Sequence, residues 1–137
     1  MEPISDAPPA AGRRPTRFVF VGERRSRRAV QMGVRWENGR LCARTLHAAL
    51  RAVGLDPAKQ TYVNAYTDTN PPAIDESAID RVREMAHAGA KIVALGRAAH
   101  RALERAGIPH RQLTHPAARG AIRARATYYA HVAAVLR

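Results

Sequence analysis

Short apolar runs rich in β-forming residues recur along the chain, at RFVFVG (17–22), TYVNAY (61–66) and KIVALG (91–96). Runs of this length, closed by glycine or a polar loop, predict buried strands. Between them the apolar spacing changes to three and four. It passes through Leu41, Thr45, Leu46, Ala49, Leu50 and Val53 before Gly54, and through Ile74, Ala78, Ile79, Val82, Met85 and Ala86 before Gly89. It then runs through Ala98, Ala99, Ala102, Leu103 and Ala106 before Gly107. Each series makes a single apolar stripe on a helix that a glycine ends. A fourth unit places a short strand at RQLTH (111–115) ahead of a helix through AIRARATYYAHVAAVLR (121–137). Four strand-helix alternations predict a three-layer α/β/α sandwich on a short, mostly parallel four-stranded sheet with right-handed crossovers.

The opening residues 1–16, MEPISDAPPAAGRRPT, carry no apolar core of the kind a signal peptide has, so they predict a flexible tail ahead of one domain at 17–137. No apolar run approaches the ~18 residues of a membrane span. The expectation is a cytoplasmic monomer that does not engage a membrane. Cys42 is the only cysteine, which excludes a disulfide framework, a cysteine-based zinc site or a cysteine-held cluster within one chain. His47, His87, His100 and His131 fall in helical stretches, and His110 precedes the last strand with no partner at metal-ligand spacing. No metal and no cofactor are expected.

Charge narrows the class of partner. Lysine plus arginine number 23 against 11 acidic residues, a net charge of +12. Nearly all of it is arginine, whose planar fork suits phosphate oxygens. A coding bias toward Arg and Ala would also give this composition, but the charges are sorted along the chain. Asp56, Asp68, Asp75, Glu76, Asp80 and Glu84 occupy the middle, whereas the arginines cluster in GERRSRR (22–28) and ARGAIRAR (118–125). Two distant basic segments brought to one face would form a nucleic-acid surface, with DNA, single- or double-stranded, as partner.

In such sheets ligands bind beyond the carboxyl ends of the strands. The residues expected there include Glu23 after the first strand, Asn64 near the end of the second and His115 after the fourth. Glu23 would serve as a base or stabilise a cation; its alternative is a loop glutamate paired with Arg24 or Arg25. Asn64 has a donor and an acceptor in one plane, suited to the edge of a base, or else it caps the loop that follows. Trp36, the only tryptophan, lies outside every apolar stripe, so it would stack on a base or plug the core. His115, held extended by Pro116, would donate to an oxygen gaining negative charge, or stand as a satisfied strand-end residue. Gly22 gives the tight exit from the first strand and lets a ligand approach the backbone.

The order of these segments carries a further signal. A strand followed by GE, a helix ending in AVGLDP, a strand followed by VNAY, then KIVALGRAAHRALERAGIP and LTHPAARG together resemble the uracil-DNA glycosylase superfamily. The likeness is to the branches whose first motif reads GEAPG and whose last begins His-Pro, and it spans about residues 17–137. The resemblance implies that Glu23 activates or positions water at the sugar carbon and that His115 stabilises the departing base anion. It further implies that Asn64 reads the base, that Trp36 stacks on it, and that Arg119 stands where many members place a wedge. The DNA contacts expected from the two arginine clusters are Arg24, Arg25, Arg27, Arg28, Arg119, Arg123 and Arg125. Departures are visible as well: GERRS lacks the Pro-Gly, an arginine replaces the apolar wedge, the cluster cysteines are absent and the chain is short. The expected activity is a DNA glycosylase that flips uracil or another modified base and hydrolyses its N-glycosidic bond. The alternatives are a catalytically inactive glycosylase-like nucleic-acid-binding protein and an α/β enzyme acting on free nucleotides or nucleosides.

Overall fold

In the computed structural model Phe18–Gly22 forms β1, and every one of its residues is buried. The model describes residues 17–117 and 125–137. The tail expected at 1–16, Arg119, Arg123 and the start of the last helical pattern lie outside the described residues. β1 lies between two neighbours: β2 (Thr61–Asn64) and β3 (Lys91–Leu95) pair with it in parallel, and β4 (Arg111–Leu113) extends the sheet beyond β3. The order is β2-β1-β3-β4, parallel throughout. The architecture is the expected α/β/α sandwich.

The continuous apolar runs follow from this position. Phe18 and Phe20 of β1 point to one face and Val19 and Val21 to the other, so a central strand needs apolar residues at consecutive positions. Helices α2 (Cys42–Ala52) and α5 (Arg125–Leu136) cover the first face with Leu46, Leu50, Tyr128 and Val132. On the second face α3 (Glu76–His87) and α4 (Arg97–Arg105) supply Ile79, Val82, Ala102 and Leu103. The chain moves from β1 to β2 over one face, then from β2 past β1 to β3 over the other. That change of face with the change of direction is what a constant crossover hand requires.

Two details differ from the sequence pattern. α3 begins at Glu76 because the Asp75 side chain accepts from the Ala78 amide, whereas Ile74 pairs with Tyr66 in an isolated bridge. A short helix that the pattern does not reveal, α1 (Arg27–Met32), follows β1. It buries no residue, so it has no apolar period to detect, and the Ser26 hydroxyl caps it by accepting from the Ala29 amide. Among the described residues no helix is long and apolar enough to cross a membrane.

Candidate active site

The sheet's order reverses between β1 and β3, and the carboxyl ends of the strands open into a cleft of about 730 Å³ lined by Glu23, Trp36 and His115 among others. The β1–β2 ladder continues beyond the strands. Ala65 donates to the Gly22 carbonyl at 2.9 Å and Tyr66 to the Glu23 carbonyl at 2.8 Å, which fixes the backbone of Glu23 while its side chain stays exposed.

Trp36 opens a 3-10 turn, Trp36–Asn38, and is 9% exposed among core residues. Its indole N–H donates to Asn64 Oδ1 at 2.8 Å. An indole only donates, so the amide oxygen must face it and the Asn64 NH2 is left for other acceptors. Trp36 therefore plugs the core while also lining the cleft, and Asn64 is not among the residues that line it. Gly22 makes that contact feasible. A Cβ there would lie 2.7 Å from Asn64 Oδ1 and 2.9 Å from Trp36 Nε1, so the space expected for a ligand against the Gly22 backbone is filled by this side-chain pair.

His115 stands beside the Trp36 ring, centroids 6.0 Å apart and planes at 62°. Its Nδ1 accepts from the Ala117 amide at 3.0 Å. The amide is an obligate donor, so the neutral ring carries its proton on Nε2. Burial pushes the imidazole below the usual histidine range, against an opposing pull from the Glu23 charge. The neutral donor form is thereby favoured near neutral pH. Behind it, Gly96 has φ 90° and ψ 178°, a region only glycine enters freely, and a Cβ there would sit 3.3 Å from His115 Cβ.

Sequence reasoning missed the groups that hold this segment. The Tyr128 hydroxyl donates to the Thr114 carbonyl at 2.9 Å, and the Thr114 amide donates to His131 Nε2 at 2.9 Å. Both backbone polar groups of the residue before His115 are thus tied to one face of α5. The spacing of three between Tyr128 and His131 was the available signal. Burial pushes the Tyr128 phenol up, so it stays a donor. Cys42 also lines the cleft, and burial raises its thiol, which leaves it a weak nucleophile.

The arginines separate into different environments. Arg25 Nε lies 2.9 Å from Asp68 Oδ2 and its amide donates to Oδ1 at 3.1 Å, latching the loop after β1 to the loop after β2. Burial alone would raise Asp68, but the Arg25 hydrogen bonds and charge, with Arg35 beyond, hold it below the usual carboxylate range. Arg25 is therefore held by an ion pair within the fold. Arg24 reaches the Thr69 carbonyl at 3.4 Å, Arg27 lines the cleft and Arg28 is exposed. Arg125 is exposed at the start of α5. Arg35 and Arg40, absent from the sequence-based set, line the cleft too.

Other histidines lie away from this edge. His110 is hydrogen-bonded to His100, whose Nδ1 is 2.8 Å from its Nε2, and His100 Nε2 faces Glu104 at 3.4 Å. Among the described residues no group of three or more His, Cys, Asp or Glu side chains is arranged to hold a metal ion. His47 is 5% exposed, stacks on Tyr62 at 5.5 Å, and its Nε2 has no hydrogen-bond partner among the described residues. Burial lowers it, with Arg51 in the same direction and the Trp36 backbone and Glu37 opposing. Unfolding frees both His47 and His115 to take up protons below about pH 6.5, the ordinary histidine value, while the folded protein resists. Their contribution is full above that value and is lost as pH falls through the lowered folded values. Thermal denaturation at a series of pH values should show the midpoint falling on acidification below neutrality, and His47→Phe should reduce that dependence. An identical pH slope in the variant would remove His47 from the explanation.

Comparison of the chain with protein-family models and with curated proteins gives no match in either case.

Proposed function

We propose that the protein is a small cytoplasmic DNA glycosylase resembling the uracil-DNA glycosylase superfamily, hydrolysing the N-glycosidic bond of a flipped base. The observation that carries this reading is that half-buried His115, its proton held on Nε2, and the exposed Glu23 carboxylate line one cleft at the sheet's switch point. When the bond between base and sugar breaks, electrons move onto the base and positive charge develops on the sugar. A fixed donor beside the base oxygen and a carboxylate beside the sugar are strengthened in that transition state. His115 would hold the base oxyanion without giving up its proton. Glu23 would favour the oxocarbenium and orient water toward the sugar carbon. Trp36, held in place by its hydrogen bond to Asn64, would form the wall against which the base rests.

A second reading, a nucleic-acid-binding relative without catalysis, is favoured by one observation. The carbonyl of Asn64 is committed to Trp36, which reduces the ability of this amide to read a base. Oligonucleotides carrying a panel of damaged and modified bases, treated with alkali after incubation to nick abasic sites, separate the two. Strand nicking supports the glycosylase; binding without nicking supports the relative; turnover of free nucleotides alone moves the cleft to a third class. Where nicking is seen, Glu23→Gln should slow it without weakening affinity for the oligonucleotide, because the amide keeps the shape, loses the charge that favours the oxocarbenium and removes a negative charge from a cleft that holds phosphates. Full activity in Glu23→Gln removes the carboxylate from the mechanism.

A further inference from the structure

The cleft is cationic along two separate stretches of chain, and only one of them is the GERRSRR segment. Arg24, Arg27 and Val30 line it from the first stretch, and Arg35, Arg40 and Leu41 from the second. Arg35 and Arg40 are exposed and form no ion pair among the described residues, since Asp68, the only acidic lining residue besides Glu23, is held by Arg25. On the first stretch, α1 has arginines at its amino end and no acidic residue in its first turn, which opposes the helix dipole. Its Val30 is 43% exposed, one of two large hydrophobic residues so placed among the described residues. Charges set against a local electrostatic preference, with an aliphatic side chain exposed beside them, fit a ligand that is anionic and apolar by turns. A single strand has that character, because its phosphates alternate with unstacked base faces, whereas a duplex turns its base faces inward.

We propose that the cleft takes a single strand of DNA, with Arg27 holding backbone phosphate on one stretch and Arg35 and Arg40 on the other, and an unstacked base lying against Val30 and Leu41. This rests on the glycosylase reading for the choice of DNA, but it is tested by binding alone. A fluorescein-labelled oligothymidylate of about 16 nucleotides is titrated by fluorescence anisotropy at several salt concentrations against the parent and Arg35→Gln/Arg40→Gln. A duplex of the same length and thymidine monophosphate serve as competitors. The single strand should bind roughly tenfold or more tighter than the duplex, the scale of losing one stacked base. The double variant should lower the slope of log affinity against log salt by about 1.4, since a single strand releases about 0.7 counterion per phosphate contact. Circular dichroism checks the fold, and Arg40→Gln alone, expected to lower the slope by about half as much, stands in if the double variant does not fold. An unchanged slope overturns the proposal, as does a duplex that binds as tightly as the single strand. Displacement by thymidine monophosphate as readily, per nucleotide, would assign the arginines to a free phosphate monoester and also overturn it. Strand binding with no excision on any substrate leaves this proposal standing and sinks the glycosylase; excision with duplex preference does the reverse.

Discussion

His115→Ala is expected to lower the rate of base excision by ~100-fold or more, the scale of losing one oxyanion donor, while affinity for DNA changes little. The imidazole contributes when charge reaches the base, and the arginines supply the salt-sensitive part of binding in both ground state and transition state. Single-turnover excision and anisotropy on the same oligonucleotide separate the two quantities. Thermal denaturation provides the control, because His115 is only half-buried and the core clusters do not include it. Excision at the parental rate, or a variant that no longer folds, would make the histidine a strand-end residue. The neutral Nε2–H form also fixes a pH expectation. Acidification through the lowered His115 value adds a proton at Nδ1, breaks the acceptor contact with the Ala117 amide and unseats the ring. Excision should therefore fall on the acid side, and the His115→Ala residual rate should lack that limb.

Trp36→Ala should cost about 3–5 kcal/mol of stability, the range for emptying a large aromatic site. The ring is 9% exposed, belongs to the cluster around Phe20 and Leu46, and carries the only donor that meets Asn64 Oδ1 among the described residues. Trp36→Phe isolates the second contribution. It keeps most of the apolar area, leaves the part-buried amide oxygen without its partner, and should cost about 1–3 kcal/mol. Urea denaturation of the parent and both variants gives the values through the transition midpoints. A loss below about 1 kcal/mol for Trp36→Ala would show that the ring does not hold the core. The same variants should alter the His115 ring signals in NMR spectra, because the two rings stand 6.0 Å apart. His115→Ala, by contrast, leaves the Trp36–Asn64 bond intact, so the two substitutions distinguish a wall of the site from its reacting group.

The layers and the edge at which the cleft opens were readable from the chain. β1 and β3 are apolar at nearly every position because both faces of the sheet are covered, and α2, α3 and α4 show a single stripe because each has one covered face. These are repeating, local relations between neighbours in sequence, so periodicity records them. The positions of Glu23, Asn64 and His115 at one edge follow from the same relation, since parallel strands end together. The absence of a buried residue in α1 explains why it was missed: a helix held by its Ser26 cap and short loops leaves no period.

What the tertiary structure alone decided are pairings between residues far apart in sequence, where only one or two contacts form and no repeat exists to reveal them. Asn64 and Trp36 each permitted two roles, and the 2.8 Å bond between them settled the amide's orientation and fixed the indole beside His115. Arg25 looked like its neighbours until Asp68 met it across two loops. Tyr128 and His131 showed only their spacing of three, because their partners are the backbone groups of Thr114, which leave no mark on residue type. The sequence by itself determined which faces are buried and where the strands end, since burying apolar area rewards a pattern. Side-chain orientation at the strand ends rests on single hydrogen bonds that need both partners in place, and only the folded chain brings them there.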